Sequence, residues 1–224
     1  MSTFGLVHGG GFGAWCWERL IPELEARGYE AATVDLTPED QAAGATRCAE
    51  LVLQAFAAIG ELVLVGHSIA GLIIPLVAAQ RPLERLVFLH ALLPRPGESV
   101  VDRLGAEPEM FNPEMFAASA PFWEDEAVAM RFLLHDCPPE IAREAFRRLR
   151  PEPGVLGKEA SPLGAWPEVP SAYIVCADDR TATPAWARRA ARERLGVEPI
   201  EIPGGHCPFL SRPGHLAEAL EQCS

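Results

Sequence analysis

In LVGHSIAGL, Ser68 stands between an apolar run and a patch of small residues, with Gly66 two positions before it and Ala70 and Gly71 behind it. The spacing is that of a G-x-S-x-G nucleophile elbow, with alanine in place of the second glycine. Such a turn is so tight that the serine takes a strained backbone conformation and its neighbours must be small. Alanine meets that demand nearly as well as glycine. The strain lifts the hydroxyl over the end of the strand, towards a place where the next helix presents its free N–H groups. That is the chemistry of attack on a carbonyl. Serine at a helix start also reads as an N-cap, so the motif needs a strand before it and a helix after it.

A hydroxyl needs a base, and the base needs an acid to orient it. In a strand–turn–helix setting of this kind the chain order is serine, acid, histidine. Of the six histidines, only His206 and His215 come late enough. His206 lies in IPGGHCPFL, a glycine-flanked loop after the last apolar run, whereas His215 falls inside a helical pattern and reads as a surface residue. His67 reads as support for the turn, and His90 and His135 as core or lid histidines. The acid comes from YIVCADDRTATP, where Asp178 and Asp179 are both eligible. A third element is HGGGFG near the N-terminus. It is positioned to donate the N–H of Gly10 which, with that of Ile69, forms an oxyanion hole. The loop lacks the Lys-Ser/Thr ending of a phosphate-binding loop and a properly placed GxGxxG, which argues against a nucleotide site. Cys207 beside His206 has no elbow of its own and reads as a small apolar filler.

These groups need a scaffold, and the apolar runs supply one. Short strands are predicted at 3–7, 30–34, 61–65, 85–89, 172–176 and 197–202, the last at a sheet edge because of Pro199. Helices are predicted over WERLIPELEARG with a stop at Gly28, over 46–59 and 69–80, at 184–195 and at 213–222. Pro75 predicts a kink in the third of these. Strands that are apolar throughout and alternate with helices indicate a parallel sheet covered on both faces. The fold class is therefore α/β, a six-stranded mainly parallel sheet flanked by helices. Residues 94–170 break the rhythm with many prolines, scattered aromatics and two helices near 124–134 and 138–149. They read as a helical lid inserted into a core made of 1–93 and 171–224, set over the carboxyl edge where ligands bind in such sheets.

Composition narrows the partners. Hydrophobic residues make up 49% of 224 and the net charge is −12. A large core can form, and neither nucleic acid nor an anionic membrane is an expected partner. No run is long enough to span a bilayer, and MSTFGLVHGG reads as a first strand and not as a signal peptide. Six cysteines without a CxxC or regular spacing fit reduced thiols in a cytoplasm. The expected partner is a small-molecule substrate, with the chain a monomer or homodimer.

LVHGGGFGAWCWERL, LVGHSIAGL, YIVCADDRTATPAWARR and IPGGHCPFLSRPGHLAEAL, in this order, resemble the α/β-hydrolase superfamily. More narrowly they resemble the group of plant methyl esterases and hydroxynitrile lyases with its bacterial relatives. The resemblance implies that the second acid of the C-x-[DE]-D-[KR] stretch is the catalytic one, which selects Asp179. It implies no metal and no organic cofactor. Lyases of the group often carry a lysine after the catalytic histidine and a threonine or asparagine after the loop histidine. Here those positions are Cys207 and Gly9, which points to hydrolysis.

The expectation is thus a cytoplasmic serine hydrolase acting on a small, largely apolar carboxylic ester, with a Ser68–His206–Asp179 triad. Phe12, Trp15, Met110, Phe111, Phe116 and Trp123 are the candidate substrate-binding residues. The alternatives are a lyase, cyclase or C–C bond hydrolase using the same triad, or a non-catalytic small-molecule-binding protein on the same scaffold.

Overall fold

The computed structural model describes residues 2–36, 42–118, 120–152 and 154–224. Six strands form one sheet: β1 (Thr3–Val7), β2 (Glu30–Val34), β3 (Leu62–His67), β4 (Arg85–Leu89), β5 (Ser171–Cys176) and β6 (Ile200–Ile202). Their order is β2-β1-β3-β4-β5-β6, and every neighbouring pair is parallel. The side-chain alternation explains why the central strands are apolar along most of their length. On β3, Leu62 and Leu64 point into one core while Val63 and Val65 point into the other; on β4, Leu86 and Phe88 oppose Val87 and Leu89. Each such side chain, fully buried, contributes about 1.5–3 kcal/mol. A polar residue at any of these positions would lie inside one of the two cores.

The strand order reverses between β1 and β3. From β1 the chain crosses to β2 on one side, then returns to place β3 on the other. The loops leaving β1 and β3 therefore diverge and open a crevice at their carboxyl ends. The HGGG loop and Ser68 both lie there. At the far side β6 is an edge strand, as Pro199 predicts, and it is shorter than expected because pairing begins only at Ile200.

The helices differ from the predicted ones mostly at their ends. Helix Ala45–Ala55 stops earlier than expected, and within the WERLIPELEARG stretch the helix is confined to Ile21–Glu25, a 3₁₀ turn at Ala14–Trp17 ending on its first residue. Gly28, with φ of 84°, follows that helix as the stop. The expected kink at Pro75 is replaced by a break. A 3₁₀ turn at Ser68–Leu72 is followed by a separate helix, Ile74–Ala78, with Pro75 in its first turn. There the missing proline N–H costs no helical bond.

Between β4 and β5 the chain is helical and adds no strand to the sheet. Helices lie at Val100–Leu104, Pro113–Phe116 and Pro139–Arg148, with a short helix at Glu126–Val128 widening into a π-helical turn at Ala129–Leu133. The starts follow local chemistry. Ser99 and Asp102 form a capping box, and the side chains of Asn112 and Asp125 accept N–H groups of the turns they begin. One isolated antiparallel bridge, Phe111 to Ala182, ties this segment to the loop after β5. No described helix is long and apolar enough to cross a membrane.

Candidate active site

Ser68 follows β3 directly and has φ of 54°, one of two non-glycine residues with positive φ among those described. For a side-chain-bearing residue this conformation costs on the order of 1–3 kcal/mol and persists only where the surroundings impose it. The imposition is visible. The N–H of Leu92, beyond β4, donates to the Ser68 carbonyl at 2.9 Å. A Cβ on Gly71 would stand 2.0 Å from the Leu92 carbonyl oxygen, and one on Gly66 would stand 2.9 Å from Ile74 Cδ1. Ala70 is fully buried, so the alanine that replaces the usual glycine has room for its methyl, whereas Gly71 has none. Ser68 is the first residue of its turn, and no side chain makes a capping bond there. The hydroxyl is thus not used as an N-cap.

Asp179 and His206, the candidate acid and base, lie in contact. His206 Nδ1 donates to Asp179 Oδ2 at 2.5 Å and also lies 2.7 Å from Thr181 Oγ1. Both residues are buried. The other carboxylate oxygen, Oδ1, accepts the Thr181 N–H and the Thr181 hydroxyl, each at 2.7 Å. Burial alone would raise the Asp179 pKa. The neighbouring imidazoles of His206 and His90, with the hydrogen bonds, outweigh it and hold the carboxyl well below the usual range. Asp178 does something else. Its carboxylate accepts the N–H of Gly204 at 3.0 Å, while Asp136 accepts that of Gly205 at 2.9 Å, so the two fix the loop that carries His206. With Nδ1 committed to Asp179, Nε2 is the nitrogen left for a reacting proton. Among the described residues no hydrogen bond joins Ser68 Oγ to that nitrogen; catalytic contacts of this kind often tighten only when substrate binds.

His67 is fully buried, and burial pushes its pKa well below the usual imidazole value. Its Nε2 donates to the His206 carbonyl at 2.9 Å, so the residue before the elbow is tied to the loop of the base. His215 is exposed on the last helix. Burial raises the Cys207 thiol well above its ordinary range, which disfavours the thiolate a cysteine nucleophile requires.

The glycine loop packs against the elbow. A Cβ on Gly9 would stand 2.6 Å from His67 Nδ1 and 3.0 Å from Ser68 Cβ. Neither the Gly10 nor the Ile69 N–H has an acceptor within the protein among the described residues. The loop is clamped by a residue that sequence patterns did not single out. Arg150 donates from its backbone to Gly11 O at 3.0 Å, from Nε to Phe12 O at 2.9 Å, and from its guanidinium to the Asp35 carboxylate. Two residues later the half-buried Glu152 lies against Gly10, so close that a Cβ there would be 1.8 Å from Glu152 Oε2. No described side chain pairs with this carboxyl, and burial pushes it up to about 7.

Ser68, His206, Gly10 and Ile69 all face one cavity of about 340 Å³, within the range of small-molecule sites. Leu92, Val100, Met115 and Leu133 make its walls apolar, and Phe111 and Trp123 join them. Glu152, Lys158 and Thr181 are its polar members. Three expected lining residues lie elsewhere. Phe12 is turned under the glycine loop, its ring 5.9 Å from that of His67 and 5.5 Å from that of Phe209. Trp15 lies on the outside beneath the Arg148 guanidinium, 4.6 Å away. Met110 is fully buried in the core. The side chain of Phe116 lies outside the described residues. Thr181, two positions after Asp179, was not singled out in the sequence as a partner of His206. Glu152 and Arg150 carried no signal, because they come from a segment without motifs. Among the described residues no group of three or more His, Cys, Asp or Glu is arranged to hold a metal ion.

Comparison with known proteins finds similar chains among hydrolases and esterases. A pyrethroid hydrolase from Sphingobium wenxiniae is 29% identical over 241 residues, covering 96% of this chain and 85% of its own. A probable esterase of Oryza sativa subsp. indica, PIR7A, is 28% identical over 248 residues, covering 97% of this chain and 94% of its own. The crystal structure of polyneuridine aldehyde esterase superposes with a TM-score of 0.84 at 23% identity, over 100% of this chain and 99% of its own, and so shares the fold. A sequence profile described as the alpha/beta hydrolase family matches residues 6–219. With that profile spanning almost the whole sequence, and the sheet order and strained serine turn in place, the chain belongs to the alpha/beta hydrolase family.

Proposed function

We propose that the protein is a serine hydrolase that cleaves a small, largely apolar carboxylic ester through an acyl-enzyme. The observation that carries this reading is the convergence of a strained Ser68 and a buried His206–Asp179 pair on one apolar cavity. Ser68 Oγ attacks the ester carbonyl as His206 Nε2 takes its proton. The tetrahedral oxyanion accepts the N–H groups of Gly10 and Ile69, which are free for it; one such donor is worth about 3 kcal/mol in the transition state. His206 returns the proton to the leaving alcohol, then activates water to release the acid. Asp179 holds the imidazole in the right tautomer and stabilises its charged form. In this reading residues 94–170 act as the lid, and Phe111 and Trp123 contact the apolar part of the substrate. The esterase and pyrethroid hydrolase names of the relatives support ester cleavage.

The test is direct. A fluorophosphonate probe should label one residue, Ser68, read by intact mass and peptide mapping, and p-nitrophenyl butyrate should be turned over with a burst of nitrophenol. Absence of both labelling and ester turnover would refute the reading, and turnover of another substrate class with no acyl intermediate would replace hydrolysis by lyase or cyclase chemistry.

Glu152 adds a pH dependence to this mechanism. Its carboxyl is neutral below about 7 and charged above it, and it lies against Gly10, where the oxyanion forms. Turnover should therefore fall as pH rises through that value, and Glu152→Gln should retain activity on the alkaline side. Stability follows the same group. A carboxyl whose pKa is raised on folding favours the folded state below the unfolded value of 4.5, and loses that contribution as pH rises to about 7. Thermal melts across this window should show the wild type declining relative to Glu152→Gln, and pH–rate profiles of both proteins check the first effect.

A further inference from the structure

Two imidazoles meet Asp179, and the mechanism above uses only one. The other belongs to His90, the residue after β4. It is fully buried, and with φ of 41° it is the second non-glycine residue held at positive φ among those described. Such a conformation survives only where its surroundings over-determine it. Here the His90 N–H donates to the Ile174 carbonyl at 2.8 Å, and ring Nδ1 accepts the N–H of Cys176 at 2.8 Å. The second bond satisfies a buried donor of β5 that lies beyond the last residue of β4.

That bond also fixes the tautomer. An Nδ1 that accepts carries no proton, so the ring proton is on Nε2. Nε2 lies 3.3 Å from Asp179 Oδ2 and 3.2 Å from the carbonyl of Ala182. A doubly protonated ring would turn an N–H against the Cys176 N–H, so His90 stays neutral. Burial favours the same state, against the pull of Asp179. The charged and titratable groups that face it are Asp179, His206, His67 and, from helix Pro184–Ala190, Arg188.

We infer that His90 is a positioning residue for the triad, a neutral imidazole whose Nε2–H, bonded to the Ala182 carbonyl, lies beside Asp179 Oδ2 and holds the carboxylate in line with His206. The inference rests on the Ser68–His206–Asp179 reading. Asp179 is then held from both sides: Thr181 donates to Oδ1 and His206 to Oδ2, while His90 Nε2 lies 3.3 Å from Oδ2. Removing His90 leaves more of the negative charge to His206 and raises its proton affinity.

Two variants separate this role from simple support of the strand. An asparagine amide reaches the place of Nδ1, and a glutamine amide reaches that of Nε2. His90→Asn keeps an acceptor for Cys176, suits positive φ and removes the Nε2–H that lies beside Asp179. His90→Gln keeps a donor near Asp179 and gives up the strand bond. His90→Asn should melt near the wild type yet lose about tenfold in kcat with KM unchanged, the scale of an outer hydrogen-bond partner. The acid limb of its kcat/KM profile should move up by about half a unit. His90→Gln should melt lower and keep more kcat. Without substrate, an NMR titration of His206 should show the same upward shift in His90→Asn. Wild-type kcat and an unmoved His206 titration in His90→Asn, or activity that tracks melting temperature across both variants, would overturn the inference. Should Asp179→Asn leave turnover intact, the triad reading itself fails, while the substrate-free titration still judges the contact between His90 and Asp179.

Discussion

Ser68→Ala should abolish ester turnover, with kcat falling about a million-fold, as when a triad nucleophile is removed elsewhere. The protein should remain folded and melt close to the wild type. The hydroxyl makes no capping bond, and alanine at this position inherits the same backbone strain without adding to it. The remaining activity reports the oxyanion donors and cavity alone. Steady-state kinetics on p-nitrophenyl butyrate, with a melting curve and fluorophosphonate labelling on the same preparation, check all three points. A folded Ser68→Ala protein with wild-type turnover would remove the elbow from the mechanism.

Asp179→Asn is the second large effect, about ten-thousand-fold in kcat. The cause is the tautomer. An asparagine amide offers an N–H where His206 Nδ1 now donates, so the imidazole is driven to put its proton on Nε2, the atom that must accept one from Ser68. Asp178→Asn should cost far less, because among the described residues that carboxylate accepts the Gly204 N–H on the loop and does not contact His206. The pair of variants is informative because the residues are adjacent: equal losses would mean that His206 does not depend on one specific carboxylate. Asp179 also links stability to pH. Its pKa is lowered on folding, so it contributes stability above its unfolded value of 3.8 and loses it as pH falls below that value.

Much of this was readable from residues, and the reasons are physical. β1, β3 and β4 carry apolar runs with no polar alternation because both faces of the sheet are covered, and such runs stand out. The elbow and the histidine loop were legible because tight turns at strand ends demand glycines, and those glycines punctuate the sequence. The choice between Asp178 and Asp179 was not decided by the residues alone. Both follow the same strand, and only the three-dimensional loop shows one facing His206 and the other facing Gly204. Phe12 and Trp15 were misjudged for a related reason. Gly11, with φ of 78°, reverses the loop so that the aromatics after it turn inward or outward, away from the cavity. Glu152, Arg150 and His90 carry no periodicity and no motif. Their roles arise from what lies across from them, and a linear pattern contains no record of that.

The groups assigned to the proposed mechanism sit at the ends of β1, β3, β5 and β6, from Gly10 near one terminus to His206 near the other. No contiguous fragment contains a working set. A chain still emerging from the ribosome, or one refolding from denaturant, can form its helices early, since their contacts are local. It gains activity only when the most distant segments close upon each other, the slow step in folds dominated by long-range pairing. Catalysis is thus among the last properties the polypeptide acquires and, under partial unfolding at the β5–β6 edge, among the first it gives up.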